Sequence, residues 1–108
     1  MKPSTPSTPR RALRATELVT QLAQLQAWSL QGDGPTLSIS KRYDFANFHD
    51  VMAFANAVAW LAHQHDHHPE LQLSYRQCTV SWRTHDVDGI SALDFVCAAA
   101  VDALRSPV

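Results

Sequence analysis

The stretch His63-Gln64-His65-Asp66-His67-His68-Pro69-Glu70 holds four of the chain's six histidines, and a further one, His85, follows in the next segment. Imidazole titrates near neutral pH, so it can donate or accept a proton, and in its neutral form it is the commonest metal ligand. Residue types alone leave three readings open: a metal nest, a centre of general acid/base chemistry, or a polar loop that solvates a helix end. The metal reading lacks a complete pattern. The binuclear-hydrolase spacing H-x-H-x-D-H would need its aspartate at the position of His67, but Asp66 comes one place early. The H-E-x-x-H arrangement fails at Gln64, where its glutamate base would stand. No metal site is expected. In the acid/base reading, two or three imidazoles held together divide proton delivery and proton removal between them.

The elements that must position these histidines can be read from apolar periodicity. Thr16 is an expected cap for a first helix, with Leu18, Leu22 and Leu25 at i, i+4, i+7, ending near Trp28. A hairpin follows: Trp28 and Leu30 alternate with Ser29, Gly32-Asp33-Gly34-Pro35 supplies the turn, and Leu37, Ile39 and Tyr43 alternate beyond it. Asp44 is the expected cap of a second helix carrying the stripe Phe48, Met52, Ala55, Ala59 and Ala62. Pro69 stops that helix, because it disfavours helical geometry at His68 and has no amide to bond back. The histidines therefore occupy the last turn and exit of the second helix, where the carbonyl ends favour protonated imidazole.

Leu71, Leu73 and Tyr75 form a third alternating run, and Cys78, Val80 and Trp82 a fourth, around a turn near Arg76 and Gln77. The fourth strand leads into Thr84-His85. After the turn Asp86-Val87-Asp88-Gly89, Ser91 and Asp94 form a capping box that opens a third helix, with Leu93, Val96, Ala100 and Ala103 or Leu104 as its apolar stripe. The order α-β-β-α-β-β-α predicts an α+β two-layer sandwich, a four-stranded antiparallel sheet with three helices on one face. Exposed sheet edges in so small a protein predict a homo-oligomer.

Composition is consistent with one modest domain. The chain has 108 residues, 45% hydrophobic and 18% charged, with a formal net charge of −1. A charge so close to zero predicts neither a nucleic-acid nor an anionic-membrane partner. MKPSTPSTPR, with three prolines and no apolar periodicity, predicts a flexible tail over residues 1–13, followed by a single domain over 14–108. Cys78 and Cys97 lack any C-x-x-C spacing and read as small buried hydrophobes in a reducing cytoplasm. No apolar run suggests a membrane span or a signal peptide.

The spacing His63-x3-His67-His68-Pro69-x5-Tyr75-x9-His85-x8-Asp94 resembles the signature of the pterin-4a-carbinolamine dehydratases, also known as dimerisation cofactors of a homeodomain transcription factor. Asp66-His67-His68-Pro69-Glu70, Thr84-His85-Asp86 with Gly89, and Asp94 resemble the family's text as well, and the likeness spans about residues 14 to 104. It implies dehydration of 4a-hydroxytetrahydropterin to quinonoid dihydropterin in tetrahydropterin recycling, with no cofactor. It places His67, His68 and His85 in the catalytic positions: His68 and His85 share the acid and base tasks, and His67 orients the hydroxyl. His63, Asp66, Pro69, Thr84 and Asp94 are implied as substrate-binding residues. The resemblance also implies a homodimer or homotetramer, and a hydroxylase or an assembly client as a protein partner. Relatives on this fold that act as assembly factors offer a non-catalytic alternative. His63 stands where the family often has glutamate, and Leu71 where a tryptophan commonly follows Pro-Glu.

Overall fold

The computed structural model describes residues 10–105. Strands β1 (Ser29–Gln31), β2 (Ser38–Asp44), β3 (Glu70–Leu73) and β4 (Gln77–Trp82) form one antiparallel sheet in the order β1-β2-β4-β3. The register pairs Ile39 with Trp82, Tyr43 with Cys78, and Leu71 with Val80. Because side chains alternate across a strand, this register gathers Ile39, Tyr43, Cys78, Val80 and Trp82 on the buried face. The other face carries Ser38, Arg42, Thr79 and Ser81, with Ser40 Oγ 2.7 Å from Ser81 Oγ across the strands. Three helices complete the expected order: α1 (Ala15–Leu22), α2 (Phe48–His65) and α3 (Ala92–Ala103). The two longer ones pack on β4 and on each other, and the α+β sandwich predicted from periodicity is the observed architecture.

The β1–β2 turn requires one of its glycines. At Gly32, φ is +76°, and a Cβ there would come within 2.8 Å of the Thr36 carbonyl oxygen.

Several local expectations are corrected. Thr16 lies inside α1 rather than capping it. The helix starts after Arg14, whose backbone N–H donates to Glu17 Oε1 at 2.9 Å. The helix also stops at Leu22, well before Trp28, and Ala27 adopts a left-handed φ of 65°. Tertiary contact decides this: Trp28 turns into the core and its indole N–H donates to Asp102 at 3.0 Å. Asp102 also accepts from Lys41 Nζ at 2.8 Å and from the Tyr43 hydroxyl. Burial pushes the Asp102 carboxyl up, but these three donors outweigh it and hold it below its usual value.

Asp44 is the last residue of β2, and Asn47 caps α2 instead, its Oδ1 accepting from the Asp50 N–H at 2.8 Å. The chain continues in sheet-like pairing past Asp44, with Phe45 N–H donating to the Arg76 carbonyl at 2.8 Å. The buried face of α2 is Val51, Phe54, Ala55, Val58, Leu61 and Ala62, so the stripe is rotated from the expected one. Phe48 and Met52 face outward, 47% and 36% exposed. Both stripes obey helical spacing, and the sheet selects the one that offers more branched and aromatic volume. In α3 the same shift buries Phe95, Cys97, Ala98 and Val101 and leaves Val96 outside, while Leu93 and Ala100 pack at the margin. Tyr75 belongs to the β3–β4 turn rather than to β3.

Both cysteines are buried and free, and burial pushes the Cys97 thiol up to about 12. No helix among the described residues is long and apolar enough to cross a membrane. Residues 1–9 of the expected tail lie outside the described residues. Nearer the first helix, the Leu13 N–H donates to the Ile90 carbonyl at 2.7 Å and its side chain packs against the core.

Candidate active site

The end of α2 determines where the histidine pair points. Asp66 closes the helix in a left-handed conformation, φ 51° and ψ 43°, and the His67 N–H bonds back to the Ala62 carbonyl at 3.1 Å. Aspartate tolerates this conformation better than most residues because its short side chain can bond locally. The reversal sends consecutive imidazoles in different directions. His67 is 6% exposed, whereas His68 is exposed.

His67 is held by a buried polar cluster. Its Nε2 lies 2.6 Å from Asp94 Oδ1, and Asp94 is fully buried in the first turn of α3. The other carboxyl oxygen, Oδ2, accepts from the Thr84 hydroxyl at 2.7 Å and from the Ser91 N–H at 2.9 Å. Thr84 Oγ1 is also 2.6 Å from Ser91 Oγ. A buried carboxyl is expensive unless its oxygens are satisfied, and here both accept. Acceptance at Oδ1 assigns the His67 proton to Nε2 and leaves Nδ1 as the other functional atom of the ring.

The strand end and the following turn hold this arrangement in place. Thr84 pairs with Gly89 through a bridge with N–H to carbonyl at 2.8 Å, and a single 3-10 turn, His85–Val87, fills the space between. Trp82 stacks beneath His67, ring centroids 5.4 Å apart with 15° between planes. Among the described residues its indole N–H is buried without a hydrogen-bond partner, a deficit of about 1–3 kcal/mol that the stacking and full burial of the ring help to offset.

A cavity of about 850 Å³ opens above this cluster, lined by Arg10, Asp66, His67, His68, Arg83, His85, Asp86 and Val87. The adjacent His67 and His68 and the distant His85 thus line one cavity together with Asp66. Thr84 and Asp94 are fully buried and reach the cavity only through His67. Pro69 lines an adjoining concavity of about 1000 Å³ over the polar sheet face, which shares His68, Arg83 and His85 with the first. His63 lines neither. It sits exposed on α2 with its ring 5.6 Å from that of Trp60. No group of three or more His, Cys, Asp or Glu side chains among the described residues is placed to hold a metal ion.

Sequence reasoning missed Arg83, Arg10, Ser91 and Trp82 as parts of the site. Arg83 donates from Nη1 to the Pro35 carbonyl at 2.8 Å and places Nη2 3.0 Å from His85 Nδ1. Its place directly before Thr84-His85, at the end of an alternating strand, was the available signal. Arg10 pairs with Asp86 at 3.7 Å across the rim, a contact no local pattern announces.

The sequence matches the Pterin 4 alpha carbinolamine dehydratase family over residues 11–104. The chain belongs to that family. A provisionally named pterin-4-alpha-carbinolamine dehydratase of Paracidovorax citrulli is 54% identical over 95 residues, covering 88% of this chain and 82% of the relative. A likewise named protein of Bdellovibrio bacteriovorus is 45% identical over 98 residues, covering 87% and 78%. Among solved structures, a transcriptional coactivator/pterin dehydratase from Brucella melitensis aligns with a TM-score of 0.82 at 26% identity, over 89% of this chain and 100% of that one. A pterin dehydratase-like protein identified as a RuBisCO assembly factor in the alpha-carboxysome aligns with a TM-score of 0.60 at 22% identity, over 77% and 94%. That second likeness is one of pterin-dehydratase fold alone.

Proposed function

We propose that this member of the family removes water from a 4a-hydroxytetrahydropterin, giving the quinonoid dihydropterin in tetrahydropterin recycling. The observation that carries the reading is the convergence of His67, His68 and His85 on one cavity, with His67 anchored to the buried Asp94. The reaction is an elimination. The N5 lone pair forms the C4a=N5 bond as the C4a–O bond breaks, the N5 proton is removed, and the departing hydroxide is protonated to water. No electrons leave the substrate, so proton transfer is the chemistry required. Two imidazoles can carry it, each contributing roughly 10²- to 10⁴-fold in rate. His68 and His85, both exposed to the cavity, take the acid and base tasks, and His67 orients the hydroxyl from its fixed position. Stopped-flow dehydration of a synthetic 4a-hydroxytetrahydropterin tests this. Turnover lost in His68→Ala supports the reading, and an unaltered background rate at high wild-type concentration rejects it.

The protein acts in this reading as a homodimer or homotetramer. Support comes from the edge strands β1 and β3, which carry Leu30 and Leu73 at 40% and 41% exposure. A second reading is a non-catalytic assembly or dimerisation module, favoured by the exposed Phe48, Met52 and Trp60 on the outer side of α2. It predicts a stoichiometric complex with a client that survives loss of all three catalytic-position histidines.

A further inference from the structure

Arg83 is fixed at both ends of its guanidinium. Nη1 donates to the Pro35 carbonyl at 2.8 Å, and Nη2 lies 3.0 Å from His85 Nδ1. A guanidinium has N–H donors and no acceptor, so the ring nitrogen facing it must be the one that carries no proton. In a neutral imidazole the proton then resides on Nε2. We propose that Arg83 is a positioning residue that holds His85 as the neutral, Nε2-protonated tautomer, making it the hydrogen-bond donor of the cavity and unsuited to the role of base.

The contrast with His67 gives this its chemical content. A carboxyl group accepts from the His67 ring at 2.6 Å, while a guanidinium donates to the His85 ring at 3.0 Å. The two rings are polarised in opposite senses. The other charged or titratable groups on the same cavity are Arg10, Asp66, His67, His68 and Asp86. Asp86 is 75% exposed and engaged by Arg10 at 3.7 Å, so its charge is shared and solvent-screened at the rim. Arg83 makes the direct contact, and its tether to Pro35 ties that contact to the β1–β2 turn, which lies at the same end of the sheet as the close of β4.

The catalytic consequence rests on the dehydratase reading; the tautomer rests on geometry alone. The neutral His85 stabilises the departing hydroxide with a hydrogen bond from Nε2–H and transfers no proton, so His68 performs both the base and the acid task. His68 takes the N5 proton, and that proton neutralises the departing hydroxide, so water leaves and the protein returns to its starting state.

Two measurements on the full chain test the proposal. Long-range ¹⁵N correlation spectra of the histidine-labelled protein at neutral pH should show His85 Nδ1 unprotonated and Nε2 protonated. Arg83→Gln should give a mixture of tautomers, and Arg83→Lys should restore the wild-type pattern in part. A wild-type His85 carrying its proton on Nδ1, or a pattern unmoved in Arg83→Gln, overturns the proposal. In turnover, Arg83→Gln should lower kcat roughly tenfold with KM little changed, and Arg83→Lys should recover part of the loss. A kcat unchanged in Arg83→Gln, or lost without recovery in Arg83→Lys, overturns the positioning role. A wild type that shows the Nε2–H tautomer but no turnover sustains the Arg83 assignment and removes the dehydratase reading instead.

Discussion

His67 Nε2 and Asp94 Oδ1 lie 2.6 Å apart, joining the exit of α2 to the first turn of α3 inside the protein. The same carboxyl caps its own helix through Ser91 N–H and accepts from Thr84 at the end of β4. One buried side chain thus ties together the three elements that shape the cavity, so catalytic geometry and fold stability are coupled at Asp94. Asp94→Asn replaces an acceptor by an amide donor facing other donors. It should destabilise the fold by about 1–3 kcal/mol in urea unfolding, and it should also reduce turnover. Unchanged stability in this variant would show that the cluster is dispensable.

The exposed imidazoles should behave differently. His68→Ala and His85→Ala remove side chains with little packing, so each should leave stability within roughly 0.5 kcal/mol. Each should nonetheless lower kcat by roughly 10²- to 10⁴-fold. Thermal melts beside single-turnover rates separate the two effects, and a large melting shift would place these side chains in a structural role.

The rotation of the α2 stripe can be checked with two phenylalanines. Phe54, 6% exposed, lies between Tyr43 and Phe45 with ring centroids 4.7 Å and 5.1 Å away. Phe54→Ala should cost about 3–5 kcal/mol of stability. Phe48→Ala, at an outward position, should cost well under about 1 kcal/mol in dilute monomer. Equal losses would restore the register first read from the sequence.

Arg11 donates twice to the Glu17 carboxylate, at 2.8 Å and 2.6 Å, and these bonds with the Arg14 N–H lower its pKa to about 2. A depressed folded-state value contributes stability above the unfolded-state value, and that contribution disappears as pH falls through the folded one. The melting difference between wild type and Glu17→Gln should therefore be present at neutral pH and fade as pH falls from the ordinary carboxylate range toward 2. A difference that is constant with pH would assign the effect to helix propensity instead.

Cys78 and Cys97 are both buried, and burial raises both thiols, Cys97 to about 12. Neither should react with a thiolate-selective reagent in the native protein at neutral pH, and both should react once denaturant is added. Rapid native labelling would show that the core opens locally.

Sequence alone determined the order of elements, the strand alternation, the Ser91-Asp94 cap and the break at Pro69, because these depend on neighbours within a few positions. The motif linking His67, His68, His85 and Asp94 was legible for the same reason: each residue type and interval stands in the chain. Tertiary structure decided which of two helical stripes on α2 faces the sheet, since both satisfy the period and only packing volume separates them. It also decided that His67 turns inward while its neighbour stays in solvent, through the left-handed Asp66 and the distant Asp94 carboxyl. The Arg83 contact with Pro35 belongs to this second kind: it joins the end of β4 to the turn before β2, 48 positions away in the chain, and no local spacing encodes which carbonyl a long flexible side chain will meet.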